Sequence, residues 1–298
     1  MVFSELKKKA FLFFLLVLAF LPTGGIYAWW DMGHMVVAKI AYDRLRPEIK
    51  EKLDKILIDS SAEFPESATF VTAACFADDI KDRGFCLMSC YHGSNRPYDP
   101  EGILSQNEKK LLAAVLKNND IIYAIDGATK TLKNPNARTF EKSLALRLLI
   151  HYVGDIHQPL HCTTLYTKSM PKGDCAGTRF PIVKPDGEKT SLHLFWDSIL
   201  ALDAERIVRP LNAYGIACVD RFVQLALSEL DVVTIDHAQN MCIDDWAKES
   251  YKFGTKISYA GIVPNAVPSS EYIDCGRKVA LRRLAIAGLR LATLLNQL

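Results

Sequence analysis

Residues 151–161 read His-Tyr-Val-Gly-Asp-Ile-His-Gln-Pro-Leu-His and hold three of the chain's seven histidines beside one aspartate. Imidazole nitrogens and a carboxylate packed this closely are groups that ligate metals. His151 and Asp155 lie four residues apart, so on a helix they project from one face. Pro159 cannot continue a helix interior. This predicts that His161 sits on the turn just past the helix end and points elsewhere. Two ligands on a helix and a third beyond its end can serve two metal ions at once.

The theme recurs along the chain. His34 lies near the N-terminus, Asp78 in Cys-Phe-Ala-Asp-Asp, and His92 in Ser-Cys-Tyr-His-Gly. His193 and Asp197 are again four apart, in Ser-Leu-His-Leu-Phe-Trp-Asp-Ser. Imidazole and carboxylate without thiolate suit zinc in an exported catalytic site. A single H-x-x-x-D pair carries little weight; the combination carries the reading. His157 is expected outside the direct ligand set, in a supporting or solvent-side place. His237, beside Asp236 on a polar segment, is expected to have no role.

The elements that must position these groups read as helix after helix. Val36, Val37, Ile40, Ala41 and Leu45 have helical spacing over 33–46. Pro47 opens a second helix with Ile49, Leu53, Ile56 and Leu57 on one face. Further helices are expected over 105–118, 139–156, from 191 to 206, and over 218–230, 239–255 and 271–296. In 139–156 an apolar stripe of Ala145, Leu148, Leu149 and Tyr152 leaves His151 and Asp155 at its edge. The last helix, with Arg282, Arg283 and Arg290, reads as a core helix with a polar edge. Strand signals are nearly absent. The best is a short pair around 178–190 turning at Pro185-Asp186-Gly187. The expected fold is mainly α: a single compact multi-helix domain with few short strands. The loop 162–190 is long for such a domain, which points to function or a disulfide tie.

Residues 1–28 stand apart. Lys7, Lys8 and Lys9 precede an apolar run from Phe11 to Leu21, and small residues lead to Ala28. This is the pattern of a secretory signal peptide; the run is short for a membrane anchor. Cleavage after Ala28 would make Trp29 the first residue of a domain spanning 29–298, exported to the periplasm or outside the cell. No stable membrane insertion is expected after that removal. The leader holds three Lys and one Glu, so residues 29–298 carry 33 basic and 33 acidic side chains. No global basic surface advertises duplex nucleic acid. An even count of eight cysteines behind a signal peptide predicts disulfides, with Cys86–Cys90 and Cys162–Cys175 as plausible local pairs. No C-x-x-C spacing supports a zinc-thiolate site, and no N-x-[ST] sequon occurs.

The sequence resembles the class I zinc-dependent nucleases: the fungal single-strand-specific nucleases, the plant bifunctional nucleases and the 3′-nucleotidase/nucleases, which are related to zinc-dependent phospholipase C. The resemblance runs through Trp29-Trp30-Asp31-Met32-Gly33-His34, Phe76-Ala77-Asp78, Tyr91-His92 and the stretch from His151 to His161. It continues with Gly173-Asp174 and Gly177, Leu192-His193, Trp196-Asp197 and Ser258-Tyr259-Ala260-Gly261-Ile262.

The resemblance implies the helical fold shared by that phospholipase and these nucleases, acting as a monomer, and a site of three zinc ions. One zinc would sit on Asp78, His92, His151 and Asp155. A close partner would sit on His34, Asp155 and the amine and carbonyl of Trp29, with Asp155 as the bridge. A third would sit on His161, His193 and Asp197. An α-amino group can deprotonate and bind metal near neutral pH, so signal cleavage would create a ligand. Catalysis is assigned to Asp78, Asp155 and Lys81, with a water between the close zincs attacking phosphorus. Single-stranded RNA or DNA would give 5′-mononucleotides, and 3′-nucleotides would lose their phosphate.

Three departures from the family pattern bear on substrate. The family's helper cation is Arg in fungal relatives and is Lys81 here, with Arg83 as a substitute; Lys offers a point charge and no bidentate fork. The aromatic that follows the metal His in fungal relatives is replaced by Gly93-Ser94-Asn95, which would move base stacking to Phe85, Tyr91 or Tyr98. Thr178 stands where the family places Asn. Lys81, Tyr98 and Thr178 are the expected substrate contacts. Two alternatives stay open: a phospholipase-C-like or other phosphoesterase on this scaffold, and a non-catalytic secreted zinc-binding protein.

Overall fold

The computed structural model describes residues 30–200 and 207–298, so the leader and Trp29 lie outside the described residues. Twelve α-helices follow in order: α1 (Trp30–Asp43), α2 (Pro47–Ile58), α3 (Phe70–Ala73), α4 (Phe76–Asp82), α5 (Gln106–Leu116), α6 (Ile121–Lys133), α7 (Thr139–Asp155), α8 (Leu192–Asp197), α9 (Ala213–Ser228), α10 (Val232–Ala238), α11 (Ile243–Phe253) and α12 (Ser270–Leu295). Two 3-10 turns, Cys86–His92 and Pro159–Cys162, carry ligand candidates between them. Among the described residues, strands are confined to β1 (Arg96–Tyr98) parallel to β2 (Thr163–Leu165), and the hairpin β3 (Pro181–Val183) with β4 (Lys189–Ser191). The chain is a mainly helical single domain, as its apolar periodicity implies.

α7 is the axis of the bundle. From Ala145 to Asp155 every side chain is buried. α6 covers one side of it, α1 and α12 others, and α12 lies along α1. The apolar stripe on α7 is therefore not its only buried face, and His151 and Asp155 sit deep inside rather than at an edge. Arg147 follows them inside, donating to Ser60 and Ser67 and stacking over Phe64 and Phe76. Polar groups so buried need partners, and the segment between α2 and α3 supplies them.

α12 departs from expectation in the same sense. Arg283 and Arg290 do not form a solvent edge. Both are buried, and both donate to Glu249 of α11. His157 is likewise enclosed: its Nδ1 donates to the Val153 carbonyl and its Nε2 accepts from Arg290. The reason is position, since the turn after α7 runs between α11 and α12 and leaves no solvent side.

The hairpin at 181–191 turns where Pro185-Asp186-Gly187 placed it, with Gly187 at φ +90°. The helix expected from 191 ends at Asp197, and 201–206 lie outside the described residues. α3, α4, α6 and α10 are additional to the expected set. α6 carries Ile121, Ile125, Ala128 and Leu132 inward behind an Asp120 cap that accepts from Ile122 and Tyr123.

The expected disulfides are absent: all eight cysteines are free. Cys162 is buried with its thiol on the Ile156 carbonyl, whereas Cys175 is exposed on the next loop. Asp174 ties that loop instead, accepting from the Leu165 amide at 2.9 Å and from the Tyr259 hydroxyl at 2.6 Å. Cys86 and Cys90 are both exposed, with Cys90 on Asn119.

Candidate metal centre

Six segments distant in sequence converge on the C-terminal end of α7. α1 supplies His34, α4 supplies Asp78, and the 86–92 turn ends in His92. α7 supplies His151 and Asp155, the turn after Pro159 supplies His161, and α8 supplies His193 and Asp197. All eight side chains are buried or nearly so.

Their ligand atoms fall into overlapping groups. His34, Asp78 and His151 form one, His92, His151 and Asp155 a second, and His161, His193 and Asp197 a third; within each, ligand atoms lie within 4.8 Å of one another. Asp155 Oδ2 is 2.9 Å from His92 Nδ1 and 3.0 Å from His151 Nε2. Asp78 approaches the same two rings at 3.7 and 3.9 Å. Asp155 Oδ1 turns the other way, 3.4 Å from His34 Nε2 and 3.5 Å from His161 Nδ1. In the third group Asp197 lies 3.2 Å from His193 Nε2 and 3.6 Å from His161 Nε2. A tetrahedron with bonds of about 2.0–2.1 Å has edges of about 3.3 Å, and these separations scatter around that value.

The residues fit divalent metal on a second ground. Both ring nitrogens of His34, Asp155 Oδ1, His161 Nε2 and Asp197 Oδ2 are buried without a hydrogen-bond partner. Left so, each would cost free energy. Backbone carbonyls orient the other histidines: His151 Nδ1 donates to Ala74 at 2.7 Å, His193 Nδ1 to Ala176 at 2.8 Å, and His161 Nδ1 to His92. Such bonds fix ring orientation and leave Nε2 for a metal.

Electrostatics sharpen the picture. Burial drives His34 down to about 3, with His151 adding to the effect. Burial would also lower His161, but Asp155 and Asp197 outweigh it and hold the ring up at about 9. Burial would raise Asp78, yet His151, Lys81 and His92 keep it ionised down to about 2. The site is thus built to hold carboxylates charged in a dry interior.

A cavity of about 190 Å³ opens over these groups, and Lys81, Ser89, His92, Asn95, Thr178 and His193 are among its lining residues. Lys81 reaches Asp78 Oδ1 at 2.5 Å. Arg83 is exposed and pairs with Glu66, so it is Lys81 that faces the cavity. The Thr178 hydroxyl donates to the Cys175 carbonyl at 2.8 Å on the opposite wall. Tyr98 is not brought here; it sits in β1 with its ring 5.9 Å from Tyr259. Phe85 is exposed elsewhere, and Tyr91 faces away from the cavity, toward Tyr123.

Two glycines and a glutamine belong to the site without a chemical signature in the sequence. A Cβ at Gly154 would stand 2.8 Å from His34 Nδ1, so only glycine lets α1 bring its ring against α7, where it stacks on His151 at 3.9 Å. A Cβ at Gly93 would stand 2.5 Å from the His161 carbonyl. Position 93 therefore has no room for a side chain. Gln158 donates to Asp197 Oδ1 at 2.7 Å and ties α8 to the turn after α7. Beneath the pair of groups, Arg209 donates to both oxygens of Asp79 and to Asp31, beside Asp78 and the start of α1.

Comparison with known proteins agrees with this geometry. The profile of the S1/P1 nuclease family matches residues 29–298. Endonuclease 3 of Arabidopsis thaliana is 27% identical over 95% of this chain and 93% of its own. Nuclease S1 of Aspergillus oryzae is 26% identical over 91% of each.

Proposed function

The chain belongs to the S1/P1 nuclease family, and on that premise we propose that it is an exported phosphoesterase with three zinc ions. It cleaves single-stranded RNA and DNA to 5′-mononucleotides and removes the phosphate of 3′-nucleotides. The observation that carries this reading is Asp155: one oxygen faces His92 and His151, and the other faces His34 and lacks any hydrogen-bond partner. A buried carboxylate divided in this way suits two adjacent cations.

Asp78, His92, His151 and Asp155 would hold one zinc. His34 and Asp155 would hold a second together with the amine and carbonyl of Trp29, which lies outside the described residues. His161, His193 and Asp197 would hold the third. Zinc there would bring water into its deprotonated form near neutral pH and offset charge on phosphoryl oxygens. The chain's own groups do the rest. Lys81 presents an ammonium at the cavity mouth to a phosphate oxygen, and its contact with Asp78 keeps both ionised. Thr178 borders the opposite wall. Asp78 and Asp155 stay unprotonated and so remain available as ligands throughout turnover. Removal of the leader after Ala28 frees the Trp29 amine, so export and activation become one event.

The test is a chain beginning at Trp29, with bound zinc measured and single-stranded RNA, 3′-AMP and phosphatidylcholine assayed with and without chelator. About three zincs and chelator-sensitive release from RNA and 3′-AMP are expected. Fewer than two zincs, or hydrolysis of phosphatidylcholine alone, overturns the proposal. A tag placed before Trp29 should abolish activity; full activity would remove Trp29 from the ligand set.

A further inference from the structure

The 86–92 turn is a wall with two faces. In a 3-10 turn residues three apart share a side, and here Ser89 and His92 line the metal-side cavity while Met88 and Tyr91 line a second one. That second cavity is an apolar groove of about 450 Å³ between α6 and α7, in the size range of small-ligand sites. We infer that this groove holds a base of the single-stranded substrate at a distance from the phosphate being cleaved, an inference that rests on the nuclease reading above.

Four observations point to a flat aromatic heterocycle on a polyanionic strand. First, aromatic rings are offered to solvent at the rim. Tyr123 is 50% exposed and Phe140 is 57% exposed, and Tyr91 lies 6.3 Å from Tyr123 at a tilt of 34°. Bases stack on such rings without regard to sequence. Second, the buried ring of Tyr152 also lines the groove, so its inner lining as well as its rim is aromatic. Third, the bordering segment 126–142 carries Lys130, Lys133, Arg138 and Lys142 against Asp126 and Glu141. This local excess of positive charge, on a chain whose charges otherwise balance, complements phosphates. Fourth, the groove adjoins the site across Tyr152, whose ring meets His92 at 5.5 Å and His151 at 5.9 Å. The metal-side cavity has no Phe, Tyr or Trp among its lining residues, so the aromatic surface lies on the other face of the wall.

The zinc-loaded protein is irradiated with an uncleavable phosphorothioate dodecanucleotide bearing 5-iodouracil, and the crosslinked residue is mapped. Separately, kcat and KM are measured on a cleavable dodecanucleotide and on a dinucleotide, for the wild type, for Tyr123→Ala with Phe140→Ala, and for Lys133→Gln with Lys142→Gln. Crosslinks on Tyr91, Tyr123 or Phe140 are expected. The aromatic double variant should lower the ratio of kcat/KM between long and short substrate about five-fold or more, through KM. The lysine pair should flatten the salt dependence of KM for the long strand. Crosslinks confined to other residues, or an unchanged ratio, overturn the inference while leaving the nuclease reading intact. A wild type that cleaves no nucleic acid with zinc present overturns that reading, and the crosslink still decides the groove. Protection of the rings by a short-chain phosphatidylcholine that leaves the oligonucleotide crosslink elsewhere would assign the groove to lipid and overturn the inference.

Discussion

At Gly154 the absence of a side chain is itself a functional feature. Gly154→Ala would press a methyl group into the His34 ring. It should cost about 1–3 kcal/mol in urea unfolding and reduce bound zinc, read by metal analysis of the purified variant. Lys81 makes a different claim. Lys81→Met should lower kcat on 3′-AMP by about 10²-fold, the scale of losing one charge-stabilising group, whereas Lys81→Arg should recover most of it. The histidines set the pH response of the zinc-free protein. His161 is held at about 9 against an ordinary 6.5, so its contribution is full below pH 6.5 and disappears as pH climbs toward 9. His34 is driven down to about 3, so its contribution is present above pH 6.5 and is lost as pH falls toward 3. Thermal unfolding of the zinc-free protein should therefore peak near pH 6.5. With zinc bound, the proton on His161 is displaced and the alkaline decline should vanish.

Among the elements, α7 and its surrounding helices decide what can be read in advance. The amphipathic patterns of α2 and α9 are legible because each has one apolar face and one wet one, and the hairpin is legible because its turn takes a positive φ at Gly187. α7 is not legible in that way, since from Ala145 to Asp155 it is buried all round, polar residues included. The inward turn of Arg283, Arg290 and His157 was hidden for the same reason. Ligand candidates were legible because coordination restricts residue type. Gly154 and Gly93 were not, because the contact that forbids a side chain comes from a segment far away in sequence. α6 did carry its signal, an Asp cap before Ile121, Ile125, Ala128 and Leu132, whereas the seven residues of α10 are too few for a period to show. The buried network gives a sharp expectation. Glu249→Gln leaves Arg283 and Arg290 without their anion, and loss of one partner from a buried ion pair costs about 3–5 kcal/mol. Urea unfolding would show it, and Arg290→Met in the same background should recover part of the loss.

For the molecule as a whole, bound metal would be a clasp on six segments spread from His34 to Asp197. A ligand at a thousand times its Kd adds about 4 kcal/mol to stability. Chelation should therefore lower the unfolding temperature well beyond any effect of ionic strength, and re-addition of zinc should restore it; an unfolding temperature indifferent to chelator would mean that these residues hold no metal. The described residues contain no helix long and apolar enough to cross a membrane. Asp155, with an oxygen on each side, would tie the filling of one half of a metal pair to the other. In zinc-poor surroundings such molecules would divide into armed and inert ones, with few between. Activity would then rise steeply past a threshold supply instead of in proportion to it, and the enzyme would report scarcity as an on-or-off decision.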